Sequence, residues 1–232
     1  MAPLRVLVTG GGRGIGRAIA LRFAREQARV VIAARTSSEL DQVVTEIEAL
    51  GGKGLATQMN MRDHGSIEAA VYRAVDFCSG TLDILVNNAG VFEVKPIADT
   101  DLAMWQRILD VNLTGPYLTT IEALPALRES ERGHIFQIAS LAARRGFAGS
   151  TAYCASKYGL RGFSDALRED LRADKIRIST VYPGPTTTTI FDDLPGEWDK
   201  SSMGRPEDVA EVVWQGYQND SGFEDLEVPR RG

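Results

Sequence analysis

The sequence predicts an α/β domain: a doubly wound parallel sheet with helices on both faces. Three observations predict it. Short β-branched runs alternate with longer helical patterns along the whole chain. Those runs are continuously apolar, as strands covered on both faces are. The first run breaks into the glycine-rich turn "TGGGRGIG" (9–16) and resumes at once as a helix.

Taken in order, "LRVLVT" (4–9) predicts the first strand and 14–27 the first helix. "RVVIAA" (29–34) is a second strand. "SSELDQVVTEIEAL" (37–50) opens like a capped helix and stops at Gly51 and Gly52. "GLATQM" (54–59) is a weaker strand, and 63–78 reads as helix. "LDILVN" (82–87) is a fourth strand, followed by one helix over about 101–128. "HIFQIA" (134–139), a helix over 151–173 and "IRISTV" (176–181) continue the alternation. "PEDVAEVVWQGY" (206–217), with acids in its first turn, is the last helix. "DLEV" (225–228) is a short last strand. The irregular stretch 184–205 is long for a compact domain, and such loops are usually functional; here it is the expected substrate loop.

The bulk numbers set limits. A chain of 232 residues, 44% hydrophobic, fits one domain over 1–232 with a real core. A net charge of -5 argues against nucleic acid as the main partner. Two cysteines, Cys78 and Cys154, make no disulfide framework and suit a reducing compartment. The chain enters its first strand directly, with no signal-peptide pattern. No apolar run approaches the roughly 20 residues of a membrane helix. The expectation is a cytoplasmic protein with no membrane partner. His64 and His134 lack ligand spacing, so no metal is expected.

A strand, a glycine turn and a helix together form an anion site. Unpaired amides at the helix start point outward, and the helix dipole favours negative charge there. The pattern is Gly10-x-x-x-Gly14-x-Gly16, with Gly12, Arg13 and Ile15 inside it. Glycines let a pyrophosphate lie against the main chain, though a turn needing positive φ has the same composition. NAD sites place an acid about 20 residues on, at the end of the second strand. Here that place reads "AARTSS", with Arg35 and Thr36 and no acid. Arg35 and Arg13 either face a ribose 2′-phosphate or are solvated surface side chains. The pair favours NADP(H), with NAD(H) possible.

In "YCASK", Tyr153 and Lys157 stand four apart, neighbours on a helix. They share a side with Leu160, Phe163, Leu167 and Leu171, so the pair is expected to face inward. Tyrosine titrates near ~10, and bringing it to ~7 takes about 4 kcal/mol. A unit charge ~4 Å away supplies about that at an effective dielectric of ~20. Lys157 is therefore expected to acidify Tyr153, against a desolvation that works the other way.

These residues resemble the short-chain dehydrogenase/reductase family, which has a Rossmann-like fold. The likeness covers nearly the whole chain. It rests on "TGGGRGIG" (9–16), "NNAG" (87–90), Asn112 in "VNLTGP", Ser140 in "IAS", "YCASK" (153–157) and "PG" (183–184). The resemblance implies a hydride transfer with Tyr153 as general acid/base and Lys157 holding the nicotinamide ribose. It implies that Ser140 orients the substrate oxygen and that Asn112 anchors a water in a proton relay. Asn88, Ala89 and Gly90 then line the adenine ribose side. Pro183, Gly184, Thr186 and Thr188 meet the nicotinamide amide and the phosphates. A homo-oligomer, dimer or tetramer, goes with the family.

The chain departs from the pattern in places. Where many members carry an aspartate after the third strand, it has Asn60, followed by Met61. Asp63 reads as a helix cap. The tail "GFEDLEVPRRG" also differs, which weakens any inference about assembly. Trp198, in the 184–205 loop, touches substrate or folds the loop down. Cys154 reads as a small packed thiol. The leading expectation is an NADP(H)-dependent oxidoreductase interconverting a carbonyl and a secondary alcohol. A 3-oxoacyl-[acyl-carrier-protein] reductase shares every motif. A nucleotide-binding protein without turnover is the third reading, opposed by the intact Ser140, Tyr153 and Lys157.

Overall fold

The apolar runs become a seven-stranded, all-parallel sheet in the order β3-β2-β1-β4-β5-β6-β7. The structure is a computed structural model and describes residues 2–192, 194, 199–219 and 225–229. The strands are β1 (Arg5–Thr9), β2 (Arg29–Ala34), β3 (Lys53–Gln58), β4 (Ile84–Asn87), β5 (His134–Ile138), β6 (Arg177–Tyr182) and β7 (Asp225–Glu227). The main helices are α1 (Gly14–Ala24), α2 (Ser37–Ala49), α3 (His64–Phe77), α4 (Leu102–Leu109), α5 (Gly115–Arg128), α6 (Thr151–Asp170) and α7 (Pro206–Gln218).

Strands buried on both sides explain the continuous apolar runs. One face packs Ile19, Phe23, Val213 and Trp214 of α1 and α7 against Val8, Ile32 and Val86. The other packs Ile67, Val71, Leu127 and Leu167 of α3, α5 and α6 against Leu7, Val31 and Leu85. Helix starts follow local chemistry. Asp63 accepts from the Ser66 amide and caps α3, and Asp101 accepts from Met104 and caps α4. Helices α1 and α2 have no side-chain cap, so their first-turn amides are left for another partner.

From β1 the chain winds outward to β3, then returns to β4 on the other side of β1. That reversal opens a crevice at the carboxyl ends of β1 and β4, where the α1 start also lies. Among the described residues no helix is long and apolar enough to cross a membrane.

The structure breaks the single helix expected over 101–128. Five residues, Asp110–Thr114, form a π-turn between α4 and α5. Pro116 has no N–H to return to the carbonyl four residues earlier, that of Asn112. The ladder widens, and the Gly115 amide reaches back five residues to Asp110. Within 184–205 the described residues hold two short 3-10 turns. The loop's base is stitched by Gly204 to Pro185 at 2.9 Å and Thr187 to Gly204 at 2.8 Å. Trp198 lies outside the described residues.

Candidate active site

The glycine turn shows why no side chain fits there. Gly10 adopts φ +66, and a Cβ on it would lie 2.8 Å from the Asn88 Nδ2. A Cβ on Gly16 would lie 2.2 Å from the carbonyl oxygen of Gly10. Thr9 and Asn88 lock the turn to the next strand. The Thr9 hydroxyl accepts from the amides of Asn88 and Ala89 at 3.0 Å each. The Asn88 side chain donates to the carbonyl of Thr9 at 2.9 Å and Gly10 at 3.2 Å. Thr188, from the 184–205 loop, closes against Gly14.

A cleft of about 750 Å³ runs from this turn to the start of α6. Every residue expected at the site lines it except two, Gly16 and Asn112. Gly16 packs α1 onto the turn from behind. Asn112 is fully buried, and its carboxamide spans Val91: Oδ1 accepts from the Val91 amide at 2.8 Å. Its Nδ2 donates to the Val91 carbonyl at 2.9 Å and to the Ser156 hydroxyl at 3.1 Å. It fixes the loop beside Gly90 rather than facing the cleft.

Tyr153, Ser140 and Lys157 meet at one end. Ser140 caps the short turn after β5, accepting from the Ala142 amide at 3.1 Å. Capping and facing the phenol are done by the same hydroxyl. Lys157 is 4% exposed, and its ammonium donates to the Ile138 carbonyl at 2.8 Å. Burial pushes Lys157 down to about 8.

The expected acidification of Tyr153 is not what the structure shows. Burial pushes its phenol up to about 12, while the Ser140 hydroxyl pulls the other way. Lys157 Nζ lies 5.8 Å from the centre of the tyrosine ring, and its hydrogen bond goes to the backbone. Burial is the largest cause of both shifts. A lowered phenol needs further positive charge, such as an oxidised nicotinamide, beyond the lysine.

At the other end Arg13, Arg35 and Thr36 line the cleft, as do Asn60 and Met61. The Asn60 Oδ1 accepts from the Arg62 amide at 3.1 Å. An acid stands in this corner after all. Glu39, in the first turn of α2, lines the cleft and pairs with Arg13 at 3.7 Å. It escapes the sequence reading because that reading looks for an acid at the strand end, while the helix start folds Glu39 back onto the glycine turn. The aromatic wall is also new. Phe92 packs on Tyr153 at 4.6 Å between ring centres, and Phe191 on Phe92 at 6.1 Å. Phe147 and Val94 complete it. These loop side chains carry no motif.

The sequence pattern of the short chain dehydrogenase family matches residues 5–197. The chain belongs to this family. Its members are oxidoreductases acting on CH–OH or carbonyl groups. The chain is 36% identical over 216 residues to a ketoacyl reductase, HetN, of a Nostoc species, covering 92% of this chain and 75% of the relative. It is 35% identical over 220 residues to a sepiapterin reductase of Chlorobaculum tepidum, covering 91% and 89%. A Burkholderia cenocepacia short chain dehydrogenase solved with NADP superposes with a TM-score of 0.88. That pair is 33% identical, and the likeness covers 97% of this chain and 96% of the other.

The cradle fits a dinucleotide. Gly10, Gly12 and Gly14 present backbone to the cleft beside the uncapped start of α1, which suits a pyrophosphate. Among the described residues no three His, Cys, Asp or Glu side chains cluster as metal ligands.

Proposed function

We propose that the protein is an NADP(H)-dependent oxidoreductase that interconverts an apolar carbonyl compound and its secondary alcohol. The observation that carries this reading is one continuous cleft. It joins an amide-rich glycine turn and two arginines to Ser140, Tyr153 and Lys157. When bound, the nicotinamide supplies or takes the hydride. Gly10, Gly12, Gly14 and Ile15 hold the pyrophosphate, while Arg13, Arg35 and Thr36 hold the 2′-phosphate. Asn60 and Met61 meet the adenine. Asn88, Ala89 and Gly90 meet the adenine ribose, and Pro183, Gly184, Thr186 and Thr188 the nicotinamide end.

Tyr153 gives its phenolic proton to the carbonyl oxygen during reduction and takes it back during oxidation. Ser140 orients that oxygen by donating its hydroxyl proton. Lys157 holds the nicotinamide ribose. Asn112 holds the Val91 loop and the π-turn in place behind the lysine. The wall of Phe92, Phe147, Phe191 and Val94 favours an apolar substituent on the carbonyl over a polyol. The exposed Tyr117, Ile121 and Tyr158 on α5 and α6 fit a homo-oligomer, and the buried free cysteines fit a cytoplasmic setting.

Steady-state kinetics with NADPH and NADH across a carbonyl panel test this. The panel includes alicyclic and aryl ketones, sugars and 3-oxoacyl thioesters. The reading expects turnover with NADPH and the best specificity constant for apolar ketones. A strong preference for acyl-carrier thioesters would select ketoacyl reduction instead. Tight NADPH binding with no turnover would leave a binding protein.

A further inference from the structure

The corner that holds Arg13 and Arg35 contains the carboxylate of Glu39, whose Cβ the backbone holds against the glycine turn. A Cβ built on Gly12 would lie 3.2 Å from Glu39 Cβ and 3.3 Å from its Oε2. The start of α2 thus seats Glu39 beside the glycine turn, and in this structure its carboxylate lies against Gly12. Its other oxygen, Oε1, lies 3.7 Å from Arg13 Nη1. Arg35 and Thr36 line the same wall. Two guanidinium groups and one carboxylate therefore share the space where a ribose 2′ substituent would lie.

The two possible substituents interact with this set in opposite ways. A 2′-hydroxyl donates a hydrogen bond to a carboxylate. A 2′-phosphate takes bidentate contacts from arginine and is repelled by the carboxylate. Resting on the cofactor reading above, we propose that Glu39 is a specificity-determining residue for the cofactor. It competes with the 2′-phosphate for Arg13 and offers an acceptor to the 2′-hydroxyl. It thereby narrows the preference for NADP(H) and keeps NAD(H) usable. A doubly charged phosphate about 6 Å from a carboxylate in water is disfavoured by about tenfold in affinity. The exposed Arg13–Glu39 pair itself contributes little, so repulsion is the larger effect.

The test is the variant Glu39→Gln, nearly isosteric and partly solvated. Dissociation constants are measured for NADPH, NADH and two fragments, adenosine 2′,5′-bisphosphate and AMP. The expected result is about tenfold tighter NADPH and bisphosphate binding, with no gain for NADH or AMP. The gain shrinks as salt is raised from about 0.01 to 0.15 M, because the repulsion is screened. Glu39→Ala gives the same sign, and the thermal midpoint of each apo variant checks folding. Equal changes for both dinucleotides, no change, or weaker NADPH binding overturns the proposal. The last result would make Glu39 a support for Arg13. A wild-type protein that binds neither dinucleotide overturns the cofactor reading itself.

Discussion

The Lys157 ammonium lies 5.8 Å from the centre of the Tyr153 ring and donates instead to the carbonyl of Ile138 at 2.8 Å. The lysine is thus a buried cation with a neutral partner. Burying an ammonium with a carbonyl as its partner is costly.

That cost gives the first prediction. Lys157 sits at about 8, below its usual 10.5, so the unfolded chain binds this proton more strongly. Apo stability therefore rises with pH from about 8 toward 10.5. Tyr153, raised to about 12 from 10.0, acts oppositely: above pH 10.0 the unfolded chain loses its phenol proton first, and stability falls. Urea midpoints followed against pH measure both effects. Lys157→Met removes the rise, stabilises the apo protein at pH 7 by about 2 kcal/mol, and stops turnover. A wild-type midpoint flat between pH 8 and 10 contradicts this.

Gly16 supports the turn from behind the cleft. A methyl group there meets the Gly10 carbonyl oxygen at 2.2 Å, a contact that backbone cannot yield cheaply. Gly16→Ala is expected to weaken dinucleotide binding tenfold or more and to lower the thermal midpoint by several degrees. Titration calorimetry and a thermal melt read both. Unaltered dinucleotide affinity would show that the turn's shape does not matter.

Arg35 stands exposed in the cleft, on the same wall as Arg13 and Glu39. Arg35→Asp removes one charge contact with a 2′-phosphate and adds a repulsion. The ratio of kcat/KM for NADPH over NADH is expected to fall by about a hundredfold, roughly 3 kcal/mol. A ratio that stays put removes Arg35 as a selector.

Much of this site is written locally. The glycine turn, the Asp63 cap and the i,i+4 spacing of Tyr153 and Lys157 each follow from neighbouring residues, so sequence alone displays them. The strands are legible because burial on both faces forces apolar runs. What stays hidden depends on distant chain segments meeting. Glu39 acts through the packing of α2 on the glycine turn. Phe92 and Phe191 approach from loops about a hundred residues apart. The π-turn needs Pro116 read as a missing donor to Asn112, not as an ordinary first-turn proline. The direction of the tyrosine shift is not legible in the sequence, because spacing gives a neighbour without its hydrogen-bond partner or the desolvation of the pair.

In the proposed mechanism the Tyr153 phenol gives and takes the proton beside a bound dinucleotide. Tyr153→Phe removes one oxygen and leaves the aromatic contact with Phe92. The most direct measurement follows NADPH oxidation with the best carbonyl substrate and, in the same sample, NADPH affinity. Turnover is expected to fall at least a thousandfold, with NADPH binding within about threefold of wild type. A variant that still turns over at a rate near wild type would contradict that mechanism.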